Sequence, residues 1–192
     1  MNQPIHFHRH PAKTVRERLG ILESLDRQYG ESGELPLEGA DDLVAGLLVE
    51  LASGDDPDSA IGVALWAMRH SVEVTTPEIV VNALAARSNR ANTKEELAAV
   101  YALMQGFIAH VAPRLSADLE RSNPERPWRI LNLNFAITAI RTEDAQMMDF
   151  AFDSLSKALP DEAPGFFAEA LAHALGPGIA PVVRERLEAQ AG

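Results

Sequence analysis

The chain has 192 residues, of which 46% are hydrophobic, and a formal net charge of -11 at pH 7. This length fits one domain or two small joined units with a buried core. The absence of cysteine excludes disulfides, zinc knuckles, thiolate nucleophiles and cysteine-bound iron–sulfur clusters. The negative charge argues against nucleic acid as a partner, because a phosphate backbone would be repelled.

A membrane location is not expected. The sequence contains no run of about 18 apolar residues without a charge, which a membrane-spanning helix would need, and residues 1–15 are too polar for a signal peptide. We therefore expect a cytoplasmic protein that does not insert into membranes.

The stretch "HFHRH" places His6, His8 and His10 at every second position. In an extended segment the three imidazoles would point to one side, as in strands that bind a metal. Arg9, however, places a cation beside the supposed ligands, and a short arm offers no further groups to orient them. We interpret residues 1–10 as an N-terminal arm without a physiological metal site, and we predict no cofactor.

Apolar residues recur at spacings of three and four along nearly the whole chain, which predicts an all-α fold. The only rival strand is "VEVT" at Val72–Thr75, which is too short to carry a sheet. The predicted helices are 11–29, 38–53, 57–70, 77–89, 93–111, 113–121, 127–141, 143–158, 162–175 and 178–190.

Several predicted helices begin with recognisable caps. An aspartate pair precedes Pro57 in "GDDPD", and Thr76 precedes Pro77 in "TTPE", which combines an N-cap with proline in the first turn. Thr93 and Glu96 have the spacing of a capping box.

Part of the sequence repeats at an offset of 87 residues. "TPEIVVNALAAR" (Thr76–Arg87) then aligns without a gap with "APGFFAEALAHA" (Ala163–Ala174), so that Pro77 matches Pro164. The proline, the small residues and the phase of the apolar residues all agree.

We infer a single domain over residues 11–192, made of two related helical units at about 38–111 and 127–190 that are joined by 112–126. With a helix pair in somewhat under 40 residues and the second helix "TPEIVVNALAAR", the chain resembles the HEAT and armadillo class of helical repeats. The resemblance covers most of residues 38–190. It implies a right-handed array of antiparallel helical hairpins with about nine to ten helices.

Motifs for catalysis are missing from the sequence. No histidine has glutamate three residues before it, as a di-metal helical bundle would require. The acidic stretch from Glu31 to Asp58 lacks the glycine and glutamate of an EF-hand loop. No nucleophile-elbow, Walker or dinucleotide-binding glycine pattern occurs. We therefore predict no catalytic residue.

The main basic island is "RSNPERPWRILNLNFAITAIR", where four arginines surround a tryptophan. An aromatic residue among arginines is typical of binding hot spots. The alternative is that Trp128 fills the joint between the repeats while the asparagines bind a neighbouring loop. The predicted binding residues are Arg126, Trp128, Arg129, Asn132 and Asn134.

Two hypotheses for the function follow. The first is a non-enzymatic interaction or scaffold module that binds a protein partner or itself, through residues 121–141. The second is a helical domain that binds or converts a small molecule in a pocket between the two units, lined by Arg129, Asn132, Asn134 and His110 or His173. Self-association as a homodimer is compatible with both, because four phenylalanines lie in the second unit: Phe150, Phe152, Phe166 and Phe167.

Overall fold

The computed structural model describes residues 14–29, 39–54, 56–176 and 178–191. Within these ranges the chain forms nine α-helices and no strand, which confirms the all-α prediction. Among the first three helices and among the last four, helices that are neighbours in sequence pack against each other, which is compatible with helical hairpins. The helices are α1 (Val15–Tyr29), α2 (Ala40–Ser53), α3 (Pro57–Arg69), α4 (Pro77–Arg90), α5 (Lys94–Leu115), α6 (Pro127–Thr142), α7 (Ala145–Ala158), α8 (Ala163–Ala174) and α9 (Pro181–Ala191).

The helix predicted over 113–121 is wrong. Helix α5 continues through Pro113 and ends at Leu115, and turns follow as far as Pro127. A proline in the last turn removes one hydrogen bond near the helix end, where the helix can continue for two more residues. His6, His8 and His10 lie outside the described residues.

The predicted caps are confirmed at two of three helices. The Asp56 side chain accepts a hydrogen bond from the Ser59 N–H at 3.0 Å at the start of α3. At α5, Thr93 Oγ1 accepts from the Glu96 N–H at 3.1 Å, and Glu96 accepts from the Thr93 N–H in return. The cap expected at Thr76 is not formed, because its hydroxyl is buried without a hydrogen-bond partner in the described chain.

The contacts divide the chain into two compact units, Met1–Arg87 with Ala109–Pro113, and Ser88–Ile108 with Arg114–Gly192. These two units are defined by contacts in space, whereas the predicted repeat units, at about 38–111 and 127–190, are defined by the offset of 87 residues in the sequence. The repeat units therefore remain a prediction.

In the first unit, helices α1, α2 and α3 pack on one another. Helix α2 contributes fully buried leucine and valine side chains, and the Trp66 indole N–H of α3 donates to the Leu22 carbonyl of α1 at 3.2 Å. Asp26 accepts hydrogen bonds from His70 at 3.0 Å and from Arg69 at 2.8 Å. These two bonds, first that of His70, lower the pKa of the Asp26 carboxyl. Because an ionised carboxylate only accepts, His70 Nε2 carries the hydrogen in this pair.

In the second unit, the core is built around α6 and α7. The Phe135 ring of α6 stacks on Tyr101 of α5, with 4.5 Å between ring centroids. Helix α7 contributes the fully buried side chains of Met148, Phe152 and Leu155. No helix in the four described ranges is long and apolar enough to cross a membrane.

We expect Tyr101 to titrate far above an ordinary tyrosine. Burial, and next the charge of Asp144, raise the pKa of Tyr101 to about 12, and its hydroxyl donates to the Met147 carbonyl at 3.2 Å. A phenol whose pKa is higher in the folded than in the unfolded chain stabilises the fold below the unfolded pKa, and this stabilisation is lost as the pH rises through the folded pKa.

Ultraviolet titration of tyrosinate checks this expectation. The chain has two tyrosines, so a step near pH 12 should be present in the wild type and absent from the Tyr101→Phe variant. A high-pH step that survives this substitution would show that the Tyr101 hydroxyl titrates elsewhere.

Candidate functional site

The loop between α5 and α6 contains a buried ion pair, formed by Asp118 and Arg126. Asp118 adopts a left-handed backbone conformation with φ 46°, which aspartate tolerates better than most residues. Its side chain is only 7% exposed. Arg126 follows as the N-cap residue of α6, before Pro127 at the first helical position. The loop and the start of α6 thus bring an acidic and a basic side chain together.

All three nitrogens of the Arg126 guanidinium donate hydrogen bonds within the protein. Its Nε and Nη2 donate to the two oxygens of Asp118 at 2.5 and 3.0 Å, and Nη2 also donates to Glu162 at 2.5 Å. Its Nη1 donates to the Asn123 carbonyl at 3.1 Å. The Arg126 side chain is 6% exposed, so the bidentate pair with Asp118 is shielded from water.

Arg129, one turn further along α6, extends this group. Its Nε donates to the second oxygen of Glu162, and its Nη1 donates to the Pro124 carbonyl at 3.0 Å. Glu162 is the N-cap residue of α8, so Arg126 and Arg129 tie the starts of α6 and α8 together. We call Asp118, Arg126, Arg129 and Glu162 the arginine–carboxylate cluster.

The hydrogen bonds of the cluster favour the ionised forms of Arg126 and Glu162. The hydrogen bond to Asp118 raises the pKa of Arg126 above its already high value. For Glu162, burial raises the pKa, but the hydrogen bonds from Arg129 and Arg126 together outweigh it and the net pKa is lowered. A general acid or base needs a pKa near the working pH. This glutamate is therefore suited to holding the arginines in place rather than to moving protons.

A cavity of about 370 Å³ lies beside the cluster. Arg121 and Ser122 of the loop line it together with the cluster and with residues 158–161. The Arg121 side chain is 65% exposed, and its carboxylate contacts are long, at 3.4 Å to Asp161 and 3.9 Å to Asp118. Its guanidinium is therefore much less restrained than that of Arg126.

The predicted binding residues separate into two groups. Arg126 and Arg129 line the cavity. Trp128 is buried with no partner for its indole N–H in the described chain, and Asn132 is fully buried. The Asn132 side chain donates to the Trp128 carbonyl at 2.8 Å, and Asn134 donates to the Ile130 carbonyl at 2.9 Å. Asn132 and Asn134 thus bond to carbonyls of their own helix, and Trp128 is buried. None of the three lines the cavity.

The two histidines considered for a pocket, His110 and His173, do not line this cavity, and neither does Arg141 of the basic island. Arg141 donates to the Ser88 and Ala91 carbonyls at 2.7 and 3.1 Å, and so satisfies carbonyls at the end of α4. In the first unit, His110 lies 3.0 Å from the Val72 carbonyl. His173 is exposed on α8.

Sequence reasoning missed Asp118 and Glu162. The stretch "DEAPG" does indicate a helix start at Glu162, because an acidic residue precedes proline there. Nothing in the sequence pairs this glutamate with an arginine 33 residues earlier. That pairing depends on how the starts of two helices meet.

The outward face of α6 forms a second accessible feature. Its aliphatic residues at helical spacing remain partly exposed, and Ile137 is 42% exposed. Helix α6 carries two arginines and no carboxylate, whereas each of the other eight helices described has at least one acidic residue. We call this surface the α6 stripe; it consists of Ile130, Leu133, Ile137 and Ile140.

The described ranges contain no group of three or more histidine, aspartate or glutamate residues that could hold a metal ion. Compared with protein-family models, with curated proteins and with solved structures, the chain matches none of them.

Proposed function

We propose that the protein is a non-enzymatic interaction module that binds an amphipathic helix of a partner protein on the α6 stripe. The observation that carries this proposal is a row of four aliphatic side chains, at spacings of three and four, that stays partly open to solvent on α6. Such a row forms a ridge that fits the groove of a second helix.

Charge favours one kind of partner. Helix α6 has no carboxylate although the chain as a whole has a net charge of -11. An incoming helix with acidic residues beside its apolar face would meet no acidic residue on α6. Two copies of α6 facing each other would gain nothing from charge. We therefore propose a different protein with an acidic, amphipathic helix as the occupant.

The contacts behind the stripe support its use as a rigid platform. The arginine–carboxylate cluster holds the start of α6 in place. Near the end of α6, Arg141 donates to the Ser88 carbonyl of α4. A surface on a fixed helix loses little conformational freedom on binding. The proposal includes a right-handed HEAT-like array as the wider architecture, supported by the 87-residue sequence offset.

Photo-crosslinking from position 137 tests the proposal. A photoreactive phenylalanine analogue placed at Ile137 in the native cells should capture one partner protein, through a segment with acidic residues beside an apolar helix face. The purified partner should then bind Ile137→Glu at least about tenfold more weakly than the wild type, because a buried, unpaired charge disrupts an interface.

Leu175→Glu provides the matched control. Leu175 is 65% exposed in the same unit and lies outside the α6 stripe, so this variant should bind the partner normally. The proposal fails if both glutamate variants bind equally well, or if the crosslinked product is a second copy of this chain.

A further inference from the structure

We propose that the cavity beside the arginine–carboxylate cluster binds a small phosphorylated molecule, with Arg121 and Arg129 contacting the phosphate group. None of the residues that line this cavity belongs to the α6 stripe, and the proposal does not depend on the proposed protein partner.

The local charge favours an anion in an otherwise acidic chain. Three arginines and three carboxylates line the cavity, so their formal charges cancel. The N-cap residues of α6 and α8, Arg126 and Glu162, also line it, and neither helix start is capped by a side-chain hydrogen bond. Each helix N-terminus contributes about half a positive charge. The side-chain charges of the cavity are therefore balanced, in a chain whose net charge is -11, and the two helix starts add a field that favours an anion.

Donors for a phosphate are available on two of the three arginines. The Arg126 guanidinium already donates hydrogen bonds to Asp118, to Glu162 and to the Asn123 carbonyl. Arg129 uses Nε and Nη1, and its Nη2 makes no hydrogen bond to the described residues. Among the residues that the structure describes, Arg121 contacts carboxylates only at 3.4 Å (Asp161) and 3.9 Å (Asp118). A guanidinium fork matches phosphate oxygens in geometry as well as charge.

The cluster also reduces the repulsion that its carboxylates would exert on an anion. Both oxygens of Glu162 accept hydrogen bonds from arginine, and both oxygens of Asp118 accept from Arg126. Their charges are thus neutralised before a ligand enters. The cavity volume of about 370 Å³ falls at the lower end of small-ligand pockets, which begin at about 300 Å³. This space exceeds that of a bare phosphate ion, so we infer a phosphate monoester with a small organic group.

Calorimetric titration of the whole chain tests the site with three probes at matched ionic strength: glycerol phosphate, inorganic phosphate and acetate. We expect saturable binding that is tightest for glycerol phosphate and absent for acetate. Arg121→Gln and Arg129→Gln should each weaken binding of glycerol phosphate about tenfold or more, since each removes a charged hydrogen bond.

Lys94→Gln provides the charge-matched control. Lys94 is 64% exposed, pairs with Glu143 and does not line the cavity, so its loss should leave the affinity unchanged. Arg121→Gln keeps the test decisive even if Arg129→Gln fails to fold, because the Arg121 side chain is mostly exposed.

Several results would overturn the proposal. These are a lack of saturable binding by glycerol phosphate, equal binding of acetate, or an equal loss of affinity in Lys94→Gln. Equal affinity for inorganic phosphate and glycerol phosphate would overturn the inferred ester. None of these results bears on crosslinking from Ile137, so failure of the two proposals can be told apart.

Discussion

Replacing Arg126 by methionine should destabilise the protein by about 3–5 kcal/mol, the usual cost of removing one partner from a buried ion pair. The Asp118 carboxylate is 7% exposed and has its two shortest hydrogen bonds from Arg126. Without the guanidinium, this charge stays buried with only a distant contact to Arg121. Urea unfolding at neutral pH, followed by circular dichroism, measures the loss.

A second substitution shows whether the uncompensated charge is the cause. Asp118→Asn removes the carboxylate, and asparagine suits the left-handed backbone at this position. We expect Asp118→Asn with Arg126→Met to be more stable than Arg126→Met alone. Additive losses in this double-mutant cycle would contradict a coupled pair.

Lys157→Met is the surface control for the cluster. Lys157 pairs with Asp153 at 2.6 Å, but the two side chains are 76% and 61% exposed. An exposed pair of this kind contributes about 0.5 kcal/mol or less. A similar loss for Lys157→Met and Arg126→Met would mean that burial of Arg126 contributes little.

Local rules predict much of the fold. Apolar periodicity is enough to predict the helical class, and the caps at Asp56 and Thr93 rest on residues within one turn of each other. Thr76 shows the limit of such rules, because it has the right neighbours and yet its hydroxyl bonds to nothing in the described part of the chain. The helix predicted at 113–121 fails in another way, because α5 continues through Pro113 and ends at Leu115.

The candidate site was predictable only in part. A sequence reading finds the arginines of 121–141, because they stand out in an acidic chain. It cannot tell that Arg126 faces Asp118 and Glu162, which are 8 and 36 residues away. It leaves open whether Trp128 and Asn132 are contact residues or packing residues, and the structure buries both side chains. Pairing between distant segments requires the packed helices.

The same limit applies to the aromatic residues considered for self-association. Phe152 and Phe167 are buried, with ring centroids 5.1 Å apart in an edge contact, whereas Phe150 is 51% exposed. Most of the aromatic area of the second unit therefore stabilises the core and is not open to a partner.

Phe152→Ala should lower the free energy of unfolding by about 3–5 kcal/mol, because it removes a fully buried ring and leaves a cavity. Phe150→Ala makes the same chemical change two residues away on α7. The Phe150 ring is half exposed and makes an edge contact with Phe135, with 6.3 Å between the ring centroids. The loss of unfolding free energy should therefore be about 1 kcal/mol. Urea unfolding of both variants separates packing from helix propensity, since the two positions share one helix. Equal losses would contradict the core position of Phe152.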